Sequence, residues 1–149
     1  QTVGLQVVVV TNQSGIARGF LTEDGLGQIH DLMKEQLAEG GADLDAIYYC
    51  PHHPSAGAES RFRKVCLCRK PAPGLLKQAG LELGISLAYS YMVGDNESDI
   101  KAGRAAGCKT ILINGDHAAS SSVATDADYV CQCLDQAATW ILERVGVES

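Results

Sequence analysis

Short apolar runs alternate with amphipathic stretches along this whole chain, and that alternation restricts its fold more than any other feature. Val7-Val8-Val9-Val10 is a β-branched run of the kind buried on both faces of a parallel sheet. Thr22 is placed to cap a helix with Glu23 and Asp24 in its first turn. Leu26, Ile29, Met33 and Leu37 then form one face, and Gly40-Gly41 ends it. Ile47-Tyr48-Tyr49 reads as a second strand that delivers Cys50 at its carboxyl end. Pro73 opens a helix through Leu75, Leu76, Ala79 and Leu83, closed by Gly84. Tyr91-Met92-Val93 is a third strand, and a short helix runs from Ser98 to Ala106 before Gly107. Thr110 to Ile113 and Tyr129-Val130 are further strands, and Leu134 to Val145 a terminal helix with Trp140, Ile141 and Val145 on its core face. Strand–helix alternation of this period predicts a doubly wound α/β fold around a parallel sheet. Residues 1–149 read as a single domain without repeat or linker, with one low-complexity stretch, Ala118 to Thr125, expected as an exposed loop.

A second pattern interrupts the alternation. Thirteen residues separate the pair Cys50 and His52 from the pair Cys66 and Cys68. Two i, i+2 pairs of soft ligands at this spacing suit one Zn²⁺ held tetrahedrally as Cys₃His. Four protein ligands leave no open position, so such a metal shapes the loop over 50–68 and activates no water. The residues between the pairs, including Ser55, Gly57, Glu59, Ser60, Arg61 and Arg63, have little to bury. Without a staple their closure and ordering entropy is poorly offset. His53 reads as a loop-packing neighbour rather than a ligand, and His30 and His117 as solvated. Cys108, Cys131 and Cys133 do not complete a second site of this kind.

Net charge bounds the partners. A net charge of −6 argues against a nucleic-acid partner, whose phosphates need a basic face. No apolar run nears the ~20 residues that span a bilayer, which excludes a helical membrane anchor in this stretch. Metal-type cysteine spacing suits a reducing compartment, so the expectation is a cytoplasmic protein.

Ligands of doubly wound sheets bind at the carboxyl ends of the strands. The first strand ends in Thr11-Asn12-Gln13-Ser14-Gly15, whose hydroxyls, amides and backbone can hold phosphate oxygens or simply make a polar turn. The third ends in Gly94-Asp95, with Asp99 four residues on. These acids are open to two readings, a ligand for a hard cation or caps favoured by the helix dipole. Arg69-Lys70 adds two positive charges beside the metal loop, as a phosphate contact or as a solvated pair. Donor-rich turn, fixed cation and metal-binding acid together are the parts that phosphoryl transfer needs.

Thr11 to Gly15, Arg69-Lys70-Pro71 and Gly94-Asp95-Asn96-Glu97-Ser98-Asp99 resemble motifs II, III and IV of the haloacid-dehalogenase superfamily of phosphatases. Within it, the Thr11 to Gly19 run, Cys50-Pro51-His52-His53-Pro54 and Cys66 to Gly74 are similar to the zinc-loop subgroup that acts on heptose bisphosphate. The histidinol-phosphate phosphatases share the zinc ligands and are the nearest rival. The resemblance implies a Mg²⁺-dependent phosphatase acting through an aspartyl-phosphate on a small phosphorylated sugar, in lipopolysaccharide or related heptose precursor synthesis. It implies that Thr11 hydrogen-bonds the transferring phosphoryl group, that Lys70 neutralises its charge and that Asp95 ligates Mg²⁺. Asn12, Gln13, Ser14, Arg69 and Asn96 line the substrate side. Asn96 stands where some relatives carry a lysine, and Arg18 is the substitute for its contact with a second phosphate.

One departure from the family pattern is large. The superfamily's nucleophile and acid/base lie in an Asp-x-Asp motif ending a strand upstream of the Thr11 position. Here ten residues precede Thr11 and none is acidic, while Glu23 and Asp24 follow a helix cap. The expectation is therefore an N-terminally truncated sequence that lacks the first, central strand, with Gln1 to Leu5 as the tail of the lost first helix. Such a stretch alone is expected to be inactive. The competing expectation is a zinc-stabilised module that binds without turnover.

Overall fold

The computed structural model of the chain describes residues 4–57, 61–115 and 126–146. It divides into two compact units, Gln1–Arg69 and Lys70–Ser149. The first holds β1 (Val8–Asn12), α1 (Glu23–Glu39) and β2 (Ala46–Cys50). β1 and β2 pair in parallel from Val8↔Ala46 to Asn12↔Cys50. The second holds α2 (Gly74–Leu83), a 3₁₀ turn over Leu87–Tyr89, β3 (Tyr91–Gly94), α3 (Glu97–Ala106), β4 (Lys109–Ile113), β5 (Tyr129–Cys131) and α4 (Leu134–Arg144). Its three strands form a parallel sheet in the order β3-β4-β5. The expected α/β architecture with parallel strands is present in both units. No helix among the described residues is long and apolar enough to cross a membrane.

In the first unit, α1 starts where the sequence indicates: the Thr22 hydroxyl accepts from the Gly25 N–H at 3.0 Å. Leu26 is buried and joins Ile16, Ala17 and Phe62, with Leu21 and Tyr49 against them. Burying a side chain of this size stabilises by about 1.5–3 kcal/mol. The apolar face needs one correction, because Ile29 is 52% exposed while His30 is half-buried, its ring edge-on to Tyr49 at 5.9 Å. At ~100° per residue His30 lies about 40° from Leu26, and Ile29 about 60° away on the other side. The helix therefore rolls toward the imidazole. Gly4 has a φ of +73°, outside the right-handed helical region, so the expected helical tail does not extend to Gly4 and Leu5; Gln1 to Val3 lie outside the described residues.

In the second unit, Ile111, Cys131 and Ala137 form the core with Tyr91, Val93, Ile113, Tyr129, Trp140 and Ile141. Trp140 stacks on Tyr129 at 5.0 Å and meets Tyr91 edge-on at 6.1 Å. Val145 is corrected: as the cap of α4 it is 37% exposed and outside this cluster. α3 lies close on the sheet because Gly103 has no side chain; a Cβ there would meet Met92 Cβ and Thr110 Cγ2 at 2.7 Å. β4 and β5 are tied at their start by Asp128, which accepts from the Thr110 N–H at 2.8 Å and its hydroxyl at 3.0 Å. That backbone N–H, despite some burial, holds the Asp128 carboxyl below the usual carboxylate range. His117 and the Ala118 to Thr125 stretch lie outside the described residues.

Candidate metal centre and phosphate-handling residues

β2 ends at Cys50, which is fully buried, and the chain then turns so that His52, Cys66 and Cys68 converge on it. All four ligand atoms lie within 4.8 Å of one another. Cys68 Sγ is 3.2 Å from both Cys50 Sγ and Cys66 Sγ, and Cys50 and Cys66 are 3.5 Å apart. His52 Nδ1 lies 3.3 Å from Cys68 and 3.6 Å from Cys50. These gaps are well beyond the ~2.05 Å of a disulfide. They approach the edge, about 3.8 Å, of a tetrahedron with ~2.3 Å metal–sulfur bonds. The donor set and its spacing fit Zn²⁺.

At His52 and Cys66 the electrostatics favour the ligating form, while burial raises the Cys68 thiol. Burial first, then the Lys64 charge, lowers the His52 pKa, which keeps the imidazole in its neutral, ligating form. Burial raises Cys50. At Cys66 burial also acts upward, but the thiols of Cys68 and Cys50 donating to it outweigh that, and Cys66 comes out lowered. Around the centre, Phe62 packs its ring near His52 and accepts the Arg61 guanidinium on its face at 4.4 Å. Arg69 donates to the His52 carbonyl at 3.2 Å, so this residue, expected on the substrate side, also braces the metal loop. Cys108, Cys131 and Cys133 join no such cluster; among the described residues the four-ligand group stands alone.

The polar turn after β1 is built onto the same loop. Gln13 N–H donates to the Cys50 carbonyl at 2.8 Å, and the Gln13 side-chain amide donates to Thr11 Oγ1 at 3.1 Å. The Thr11 hydroxyl thus accepts from Gln13 and has its own hydrogen to give. Arg18 N–H donates to the Ser14 carbonyl at 3.0 Å, and Phe20 N–H to Gly15 at 2.9 Å, which closes the turn compactly. The zinc loop presses on it at Gly57, where a Cβ would sit 2.8 Å from the Ala17 carbonyl oxygen.

In the second unit, Lys70 Nζ forms an ion pair with Asp99 Oδ1 at 2.6 Å, both side chains being nearly buried. The other oxygen, Asp99 Oδ2, accepts from the Asn96 N–H at 3.1 Å. Asp99 therefore closes the capping box of α3, whose N-cap is Asn96, and orients Lys70; the two readings of the acids separate, since Asp99 serves the helix start while Asp95 stays exposed at the end of β3. Asp95 Oδ1 accepts from the Asn96 side-chain amide at 2.8 Å. An exposed, hydrogen-bonded carboxylate at a strand's carboxyl end is a fitting oxygen donor for Mg²⁺. Gly94 makes the arrangement possible, because a Cβ there would overlap Asp99. The Lys70–Asp99 pair was not readable from the sequence, since 28 intervening positions follow no fixed spacing. Gly94, a glycine within a strand, carried the one visible signal of close approach.

Three comparisons with known proteins bear on these residues. Residues 67–137 match the model of the HAD-hydrolase-like family. The chain is 47% identical over 133 residues to D-glycero-β-D-manno-heptose-1,7-bisphosphate 7-phosphatase of Yersinia pestis, covering 88% of this chain and 70% of that protein. It is 46% identical over 132 residues to the protein of the same name from Escherichia coli K12, covering 88% and 69%. Among solved structures it is similar to D,D-heptose 1,7-bisphosphate phosphatase from B. bronchiseptica, complexed with magnesium and phosphate. That match has a TM-score of 0.77 and 35% identity, over 93% of this chain and 75% of the other.

Proposed function

The chain belongs to the haloacid-dehalogenase-like hydrolases, alongside the heptose-1,7-bisphosphate 7-phosphatases, and from that premise we propose a specific reaction for it. It is a Mg²⁺-dependent phosphoric monoester hydrolase that releases the 7-phosphate of D-glycero-β-D-manno-heptose 1,7-bisphosphate. The product feeds heptose precursors of lipopolysaccharide. The observation that carries this reading is 47% identity over 70% of a curated enzyme of that name. The β-anomer follows the names of those relatives, and the thiol-rich centre suits a reducing, cytoplasmic setting.

Each residue then has a task set by its chemistry. Thr11 donates its hydroxyl hydrogen to an oxygen of the transferring phosphoryl group. Lys70, oriented by Asp99, sets a fixed positive charge against the negative charge that develops there. Asp95 offers a carboxylate oxygen to Mg²⁺. When bound, the ion supplies charge neutralisation and alignment of the phosphoryl oxygens. Asn12, Gln13, Ser14, Arg69 and Asn96 contribute polar contacts on the substrate side. Cys50, His52, Cys66 and Cys68 hold Zn²⁺, which takes no part in bond making and fixes the loop.

The covalent route needs a carboxylate nucleophile. Residues 1–22 contain no acid, and Glu23 is engaged with the Tyr49 hydroxyl at 3.0 Å. The test is phosphate release from the bisphosphate with Mg²⁺ by the protein that carries residues 1–149. Release at the 7-position is the expected result. No release sinks the phosphatase reading.

A further inference from the structure

Gln13 stands among the polar groups assigned to the substrate side, yet its own bonds give it a further task. Its backbone is held on both sides. The N–H donates to the Cys50 carbonyl at 2.8 Å, and the carbonyl accepts from the Ile16 N–H at 3.2 Å. The first of these bonds carries the β1–β2 ladder one step past the Asn12↔Cys50 pair, onto a residue that is fully buried. The side chain therefore starts from a fixed point. Two positions apart along an extended chain, side chains share a face. The Gln13 side chain turns back accordingly, and its amide Nε2 donates to Thr11 Oγ1 at 3.1 Å, both residues being half-buried.

A hydroxyl has one hydrogen and rotates it to suit its neighbours. With an amide N–H directed at its oxygen, the Thr11 hydrogen cannot lie along that line and is left for another acceptor. Among the described residues no other side chain bonds this hydroxyl. A reversed amide would do the opposite. Its carbonyl oxygen would take the hydrogen and leave Thr11 with lone pairs alone, a poor match for a phosphoryl oxygen. The direction of one hydrogen bond thus decides whether Thr11 is a donor.

We infer that Gln13 is a positioning residue that, by donating to Thr11, presents the Thr11 hydroxyl hydrogen to the transferring phosphoryl group. The inference rests on the reading proposed above, in which Thr11 contacts that group. Gln13 then acts through Thr11 rather than on the substrate. A donor held in place before charge develops needs no reorganisation during the reaction step.

The test is a double-mutant cycle on kcat for phosphate release by the protein that carries residues 1–149. A neutral hydrogen bond is worth roughly 2- to 10-fold. Gln13→Met, similar in size but without the donor, should lower kcat by about that factor with KM little changed. In a Thr11→Val background the same substitution should have no further effect. Gln13→Glu has a carboxylate that only accepts; it should draw in the Thr11 hydrogen and lower kcat more than Gln13→Met does. A full Gln13→Met loss in the Thr11→Val background, a rise in KM with kcat intact, or a Gln13→Glu variant no slower than Gln13→Met overturns the inference and leaves the phosphatase reading standing. These variants keep the backbone bonds of Gln13, so zinc content and the urea unfolding midpoint should match the parent's. Should Gln13→Met lower that midpoint, Gln13→Ala takes its place in the cycle. Calorimetric binding of inorganic phosphate with Mg²⁺ separates the two claims. In a protein that releases no phosphate from the bisphosphate, weaker phosphate binding by Gln13→Met, with no such weakening in the Thr11→Val background, keeps the positioning and rejects the phosphatase reading. Equal binding by parent and Gln13→Met in that protein overturns both.

Discussion

Residues 50–68 and residues 91–113 are stretches of similar length that hold their shape by different means. Among its described residues the first buries Cys50, Pro51 and Phe62. The second buries Met92, Asp99, Ile100, Ala102, Gly103, Cys108, Thr110 and Ile111. The second is stabilised by packing of α3 on β3 and β4, with a capped start and a left-handed glycine, Gly107, at its end. The first exposes Val65 and Leu67 at 85% and 83% while it turns Cys66 and Cys68 inward. Side-chain donors do there what apolar area does elsewhere. One stretch is built to be held by a metal and the other by close packing, so each should respond to a different perturbation.

The largest effect is expected at Cys66. Cys66→Ser leaves the ligand set incomplete and should abolish zinc binding, because folding of the loop and metal affinity are one free energy. Hydrogen exchange should then speed up over residues 50–57 and 61–68 while amides of β3 and β4 keep their protection. Full zinc occupancy in the variant would reject the assignment. Lys70→Ala should come next. Turnover should fall by about 10²–10³, the usual loss for one electrostatic contact of this kind, while elemental analysis finds zinc unchanged. Asp95→Asn should fall similarly but recover in part with excess Mg²⁺. Near-normal rates in both would move the site elsewhere.

Gly103→Ala probes the packed stretch. Alanine gains about 1 kcal/mol in helix propensity over glycine, but its Cβ would press on Met92 and Thr110. Net destabilisation of about 1–3 kcal/mol is expected, read by denaturant unfolding, with zinc content intact. A variant as stable as the parent would show that α3 can retreat. The smallest effect is expected from Asp128→Asn, about 0.5–1.5 kcal/mol at neutral pH for its bonds to Thr110. Folded Asp128 titrates below the unfolded value of ~3.9. Its stabilisation is therefore complete above that pH and lost as pH falls through the lower folded value. The Tm gap between parent and variant should close in acid; a gap that widens there would contradict the Thr110 contact.

Much of this was legible in the sequence where the cause is local. The caps at Thr22, Gly84 and Gly107, the strands and the pairing of Cys50 and His52 with Cys66 and Cys68 all follow from neighbours in the chain. What was hidden depends on contacts between distant positions. Asp99 could cap or ligate until its distance to Lys70 was known. The roll of α1 toward His30 depends on Tyr49, which sits on another element. Val145 fits the helical period but falls at the cap, where the helix no longer presents a face.

Cys50 has a further consequence through its double membership. It is both the last residue of β2, opposite Asn12, and a member of the Cys₃His cluster that can hold a metal. Successive strand residues point to opposite faces, so a slip of one position in β2 would offer Tyr49 or Pro51 where the thiol belongs. The hydrophobic pattern of Ile47-Tyr48-Tyr49 punishes such a slip weakly, because apolar and aromatic residues occupy both faces. Metal coordination punishes it fully, since a set of three ligands does not close the tetrahedron. In a chain that is still folding, a Zn²⁺ bound by this set would proofread strand alignment and favour the register that sets Thr11 beside Tyr49.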